Sequence, residues 1–308
     1  MKTITSLLCG LLLLGLTSSC GQREVYLFTS FHEPADEGLR LLYSYDGKQW
    51  ADLGRTFLSP KVGMEIMRDP SMAQGSDGTF HLVWTSGWKD DRGFGHASSD
   101  DLITWSEQQY VEVMAHEPEA VNVWAPEIFF DADSDRFIIV WATTIPFRFE
   151  RGIEAEDNNH RLYYTTTKDF QTFSEAKLFL DLGYSVIDAV IYQRGKADYV
   201  LVLKDNTRPN RNIRVAFGAS PLGPFSEPSA SITPAYTEGP TVAKVDTEHY
   251  IYFDSYRDKT YGAVKTTDFV TFVDTALNVS FPEGHKHGSV FMVKESVLNK
   301  LMEYSKKK

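Results

Sequence analysis

The sequence predicts an all-β chain, a five-bladed β-propeller whose ring is closed by N-terminal strands joining the C-terminal blade. Three observations carry this prediction. A tag recurs five times, a strand pattern repeats around each tag, and one inner strand near the C-terminus lacks its own second and third strands.

The tag is a short polar turn leading to an aromatic residue. Ser44-Tyr45-Asp46 leads to Trp50, Ser99-Asp100-Asp101 to Trp105, Thr167-Lys168-Asp169 to Phe173, Ser220-Pro221 to Phe225, and Thr267-Asp268 to Phe272. The aromatics are 55, 68, 52 and 47 residues apart, a period that suits blades of short strands. Before four of the tags lie apolar, β-branched and aromatic runs at 80–84, 137–141, 199–203 and 250–253, each reading as a buried second strand. Third strands follow at 93–98, 162–167, 213–218 and 261–266. Ser76-Asp77-Gly78 is the clearest hairpin turn.

Five segments read as innermost strands: 68–72, 125–129, 187–191, 238–242 and 287–291. The last has no partners after it. They stand instead at 25–31 and 39–45, so the N-terminus is expected to complete the fifth blade and cover an open edge. An irregular β-sandwich is the competing architecture; five matched tags and five matched inner strands weigh against it.

The ends and the composition bound the rest. Residues 1–20 read as a lipoprotein signal peptide: Lys2, an apolar run too short to span a bilayer, then Leu16-Thr17-Ser18-Ser19-Cys20 with Cys20 as the lipidated residue. A plain secretory signal is the simpler alternative. The chain has two cysteines, so a mature domain at 24–294 would hold no disulfide and would rely on its core. Residues 295–308 form a tail with room for a short helix. These features predict an exported, membrane-anchored monomer whose only membrane contact is the lipid. A net charge of −11, with Arg208, Arg211 and Arg214 the one basic cluster, argues against nucleic acid as a partner.

In a propeller, the entry to each first strand and the loop after each second strand share one face of the disc. Asp69, Glu127, Asp188, Glu238 and His287 are therefore expected around one axial pocket, with Trp88, Lys204, Arg257 and the insertion 144–161 on the rim. Each acid taken singly could cap a turn. Four converging carboxylates repel one another, which favours a site over a structural role. Two carboxyl groups, one protonated and one ionised, are the minimum for breaking a glycosidic bond.

The ordered motifs Arg68-Asp69-Pro70, Trp124-Ala125-Pro126-Glu127, Ile187-Asp188-Ala189, Glu238-Gly239-Pro240 and His287-Gly288 resemble those of glycoside hydrolase family 43 over nearly the whole mature chain. That resemblance implies inverting hydrolysis of arabinose- and xylose-containing glycans, with carbohydrate as the partner. It implies Asp69 as general base, Asp188 as the group that orients and tunes the acid, and Glu238 as general acid. His287 resembles an axial histidine that in some members holds calcium through water; no cofactor is required for the chemistry. Two departures mark a distinct branch: Glu127 stands for an Asp, and Ala189 for a Pro.

Trp88 and Trp124 are the candidates for stacking on a sugar face, while Trp84 and Trp141 read as core. Arg257 is placed either to bind a sugar hydroxyl or to pair with Asp254 or Asp258. The expected activity is that of an exo-acting α-L-arabinofuranosidase, with β-xylosidase and endo-acting arabinanase or xylanase behind it. A non-catalytic sugar-binding lipoprotein is the rival from another class. A retaining fructan or sucrose enzyme is disfavoured, because no Asn-Asp-Pro-Asn entry or Glu-Cys pair is present.

Overall fold

A computed structural model describes residues 23–307. The signal segment and Cys20 lie outside the described residues. The chain opens with β1 (Glu24–Ser30), β2 (Leu39–Ser44) and β3 (Ala51–Leu58). Four sheets follow in order. The first holds β4 (Arg68–Gln74), β5 (Phe80–Thr85), β6 (Phe94–Ser99) and β7 (Gln109–Val111). The next holds β8 (Trp124–Asp131), β9 (Arg136–Thr143), β10 (Arg161–Thr167) and β11 (Lys177–Leu180). The third has three strands, β12 (Val186–Gly195), β13 (Asp198–Asp205) and β14 (Asn212–Gly218). The fourth holds β15 (Glu238–Val245), β16 (Glu248–Ser255), β17 (Thr260–Thr266) and β18 (Val273–Asp274).

β19 (Val290–Lys294) then pairs antiparallel with β1, giving a fifth sheet in the order β19-β1-β2-β3. The ring is a five-bladed β-propeller closed as predicted. One boundary differs: the segment 287–291 was expected to be strand, but pairing starts at Val290. His287-Gly288-Ser289 instead pack against β1. A Cβ on Gly288 would lie 2.0 Å from the Thr29 carbonyl oxygen, so only glycine lets the two backbones approach this closely.

The tags have a local cause. In four of them an aspartate side chain folds back on the turn it starts. Asp46 Oδ1 accepts from the N–H groups of Lys48 and Gln49, Asp101 from Ile103 and Thr104, Asp169 from Gln171 and Thr172, and Asp268 from Val270 and Thr271. The third blade has Ser220-Pro221 instead; Ser220 Oγ accepts from Leu222 N–H. This blade also lacks a fourth strand, keeping a lone bridge between Gly218 and Phe225.

Apolar faces of adjacent blades pack on one another. Trp84 and Trp141 are fully buried between them, as expected of core residues. The tail forms the helix α1 (Glu295–Lys306), which buries Leu298 and Leu301, three apart on one face, against the first and fifth blades.

Candidate active site

The first four inner strands begin with one shared distortion. Pairing to the second strand skips two residues in each: 69–70, 125–126, 188–189 and 239–240, opposite the single residues Trp84, Trp141, Leu203 and Phe253. Two residues facing one is a β-bulge. The first residue of each bulge is left-handed, with φ of 49° at Asp69, 46° at Ala125, 52° at Asp188 and 56° at Gly239. Asp and Gly adopt this region readily. Proline follows in three cases, where the ladder needs no N–H, and Ala189 in the fourth.

This frame shows that the four acids are not equivalent. Asp69 and Asp188 occupy the left-handed position itself. Glu238 precedes it by one residue, and Glu127 lies two beyond it, level with Ser71 of the neighbouring strand. Ser71 Oγ donates to Glu127 Oε2 at 2.6 Å. Glu127 thus sits one layer deeper along the axis than the others.

The acids meet at His287. Its Nε2 lies 2.9 Å from Asp69 Oδ1 and 4.0 Å from Glu238 Oε1. Gly239 N–H donates to Asp188 Oδ2 at 3.0 Å. A Cβ on Gly239 would fall 2.1 Å from the His287 Cβ, which is why the residue after Glu238 must be glycine. Burial opposes charge on His287, but Asp69, Asp188 and Glu238 outweigh it and lift the imidazole to about 10. Burial also opposes charge on Asp69, yet His287, Arg68 and Thr85 bring its carboxyl down to about 2. Thr85 Oγ1 donates to Asp69 Oδ2 at 2.7 Å and accepts from Ala125 N–H at 2.8 Å. At Glu127 the charge of His287 does not outweigh burial and the neighbouring Asp188 and Asp69. Burial dominates and pushes it up to about 8, against the donation from Ser71.

Asp188 and Glu238 are shifted in opposite directions. Burial raises Asp188, with His287 and Lys204 only partly compensating. Burial would raise Glu238 too, but Lys204 and His287 hold it below its usual range. Lys204 Nζ donates to Glu238 Oε2 at 2.7 Å from a buried position. The sequence placed Lys204 on a rim loop; it lies inside β13, one residue before its end.

Lys204 belongs to a set that sequence reasoning missed. Thr85, Lys204 and Asp254 are the second-strand residues that pair with Arg68, Ile187 and Glu238, each just before a bulge. Asp254 is buried and takes Lys286 Nζ at 3.1 Å. The available signal was a polar residue directly after an apolar run: Trp84-Thr85, Leu203-Lys204, Phe253-Asp254.

On the rim, Trp88 is half exposed, with the Arg68 guanidinium 4.7 Å from its ring centre. Trp124 lies 4.9 Å from both Trp88 and His160 and donates Nε1–H to the Trp88 carbonyl at 2.7 Å. Arg257 is exposed and covers the Tyr236 ring at 3.2 Å. The alternative partner Asp254 is occupied by Lys286. The insertion 144–161 carries the 3₁₀ turn Glu156–Asn158 and bridges blades: Asp157 pairs with Lys89 at 3.0 Å, and buried Glu154 with Arg208 at 3.1 Å.

Among the described residues, no group of three or more His, Cys, Asp or Glu side chains could hold a metal ion. Nε2 of His287 faces two carboxylates, Asp69 at 2.9 Å and Glu238 at 4.0 Å. The calcium that the resemblance implies would be held by His287 through water, not by direct ligation.

Residues 22–298 match a family model described as a probable glycosyl hydrolase domain, related to family 43. A curated α-L-arabinofuranosidase of Bifidobacterium longum subsp. longum is 22% identical over 165 residues, which is 46% of this chain and 15% of that protein. The chain therefore spans a small part of that relative's length. Among solved structures, an endo-arabinase from Bacteroides thetaiotaomicron superposes with a TM-score of 0.60 at 16% identity, covering 81% of this chain and 90% of that one. An α-L-arabinofuranosidase from Clostridium thermocellum gives 0.57 at 13% identity, covering 78% and 83%. A family 117 glycoside hydrolase from Zobellia galactanivorans gives 0.56 at 16%, covering 70% of each. At these identities the structural likeness is one of fold.

Proposed function

Because the chain belongs to this family of probable glycosyl hydrolase domains, we propose that it hydrolyses glycosidic bonds of arabinose- or xylose-containing glycans with inversion, as an α-L-arabinofuranosidase first. The observation that carries the reading is the convergence of Asp69, Asp188 and Glu238 on one imidazolium, from three blades and the closing segment of a fourth.

Asp69 is the general base. It is held ionised by the His287 imidazolium, 2.9 Å from its Oδ1, and as a carboxylate it accepts the proton of an attacking water. The proton for the leaving oxygen comes from the Asp188–Glu238 pair. With no sugar bound, Lys204 favours ionised Glu238. A sugar hydroxyl that accepts from Lys204 Nζ weakens that hold, and burial then protonates Glu238 as the general acid. The oxygens Asp69 Oδ1 and Glu238 Oε1 are separated by at most the sum of their two distances to His287 Nε2. That limit admits both the roughly 5–5.5 Å of retaining sites and the start of the roughly 6.5–9.5 Å of inverting ones, so the product anomer decides between them.

Proton NMR of the first-formed sugar tests the reading: the inverted anomer is expected, and a retained one ends it. Glu238→Gln is expected to slow substrates with poor leaving groups by about 10²–10⁴-fold and activated aryl glycosides far less. The raised Asp188 favours a second assignment, with Asp188 as the acid. That version gains if Asp188→Asn, and not Glu238→Gln, shows the leaving-group selectivity. Anchoring through Cys20 is part of the proposal, checked by metabolic labelling with a tagged fatty acid.

A further inference from the structure

The chain enters the propeller at the end furthest from the acids. β1 starts at Glu24, which pairs with Lys294 at the close of β19. Its other end is level with the axial segment, where Thr29 N–H donates to the Ser289 carbonyl at 3.0 Å. Five steps of that ladder, about 17 Å, separate the two ends. Cys20 stands four positions before Glu24. A fully extended chain of that length reaches about 14 Å. A domain of this size has a radius of gyration of about 19 Å. A lipid on Cys20 therefore cannot pass round the disc to the face where Asp69, Asp188 and Glu238 lie.

The surface beside that entry has the chemistry of a headgroup contact. Tyr45 follows β2, whose Ser44 is level with Tyr26, so it stands at the same end as Glu24. Its ring is 40% exposed, and the guanidinium of exposed Arg23 lies 4.9 Å from the ring centre. A tyrosine and an arginine with free polar tips suit the boundary between acyl chains and headgroups. The Arg23 carbonyl accepts from Glu295 N–H at 2.8 Å, so α1 leaves from the same point. Leu298 and Leu301 of this helix are buried, while Asn299, Lys300, Lys306 and the following Lys307 are exposed.

Charge sets this edge apart. The chain carries −11, yet residues 294–307 hold four lysines and two glutamates. Elsewhere at the same end the turns are acidic: those after β4, β8 and β15 present Asp77, Asp133 and Asp246, all exposed. An anionic surface attracts the helix edge and repels those turns. The disc therefore tilts onto its fifth blade instead of lying flat.

We propose that the anchored propeller rests on an anionic lipid surface through Arg23, Tyr45 and the exposed lysines of α1, which turns the mouth of the axial pocket away from the bilayer. The proposal rests on anchoring at Cys20 for its tether and is independent of the hydrolase reading.

The sequence has cysteines only at 9 and 20, so one placed elsewhere is the single free thiol of a processed, lipidated chain. Asn299→Cys, on α1, and Asp258→Cys, on the loop between β16 and β17 at the Glu238 end of that blade, are each labelled with a polarity-sensitive dye. The labelled chains are reconstituted in vesicles of phosphatidylcholine and phosphatidylglycerol that carry lipid-bound quenchers. Position 299 is expected to be quenched about threefold or more over position 258, which stands on the order of 20 Å further along the strands. Adding Lys300→Gln, Lys306→Gln and Lys307→Gln should lower quenching at 299 about twofold, and so should about 1 M salt, where charges are screened beyond about 3 Å. Equal quenching at the two positions, or stronger quenching at 258, overturns the proposal. So does quenching at 299 that neither the substitutions nor salt reduce.

Mass spectrometry of the amino terminus reports separately on the anchor. Should Cys20 carry no lipid, the same labelled chains are held on nickel-chelating lipid through a histidine tag replacing residues 1–20. An unlipidated terminus with the same difference between 299 and 258 would sink the anchoring and leave the surface; a lipidated terminus with equal quenching would do the reverse.

Discussion

Asp69 and Glu127 come from adjacent blades, and both are buried against the same axis. One is held down to about 2, and the other is pushed up to about 8. Depth along the axis separates them. Asp69, at the bulge, faces His287, carries Arg68 beside it in sequence, and receives the Thr85 hydroxyl. Glu127, two residues past its bulge, has a single close donor, Ser71. The comparison teaches that burial, helped by Asp188 and Asp69, keeps Glu127 neutral, and that charge survives at Asp69 where the imidazolium is brought against it. A site that needs one ionised and one protonated acid can obtain both from a single desolvated ring.

Substitutions at the upper layer should break that contrast hardest. Asp69→Asn removes the ionised member and should slow hydrolysis of natural and aryl substrates alike by about 10²–10⁴-fold. Steady-state rates on both types check this; a loss confined to one type would move the base elsewhere. Next comes Lys204→Met, which strips the cation from Glu238 and strands a buried carboxylate. Denaturant unfolding should show a loss of about 3–5 kcal/mol, and Lys204→Met with Glu238→Gln should recover part of it. If the pair of substitutions simply adds, the two groups are not coupled as drawn.

Thr85→Val keeps shape but orphans both Asp69 Oδ2 and the Ala125 N–H. It should cost about 1–3 kcal/mol and raise the acid-side limb of the kcat/KM profile, because Asp69 loses a donor that favours its ionised form.

Glu127→Gln sharpens the lower half. Folding raises this carboxyl, so the folded chain binds its proton more tightly than the unfolded one. That stabilisation is complete below the ordinary carboxyl value and is lost as pH rises through about 8. The melting temperature of the unaltered chain should therefore fall relative to Glu127→Gln between pH 6 and pH 9. A gap that does not change with pH would mean Glu127 is ionised throughout.

The contrast also shows what the sequence could carry. Asp69, Asp188 and Glu238 were legible because each stands at the entry of a recurrent inner strand, and strand entries in a propeller share one face. Their inequivalence was not. A bulge is a pairing irregularity, visible only when Trp84, Trp141, Leu203 and Phe253 are seen each facing two residues. The apolar run before Lys204 stops at Leu203 and so points to a rim position, although pairing continues to Asp205. Its partner Glu238 belongs to the next blade, 34 positions away, and no local pattern announces such a contact. The tags were legible for the opposite reason, since an aspartate folding onto its own turn is complete within a few residues.

Ring closure has one more consequence. During synthesis the acids of four blades emerge in order, while β1 waits for an inner neighbour. His287 and β19 come last of all the propeller's parts, and together they shut the circle and deliver the positive charge to Asp69. Until then the carboxylates have no imidazolium to gather round. The segment that closes the ring is thus also the one that brings the positive charge to the acids.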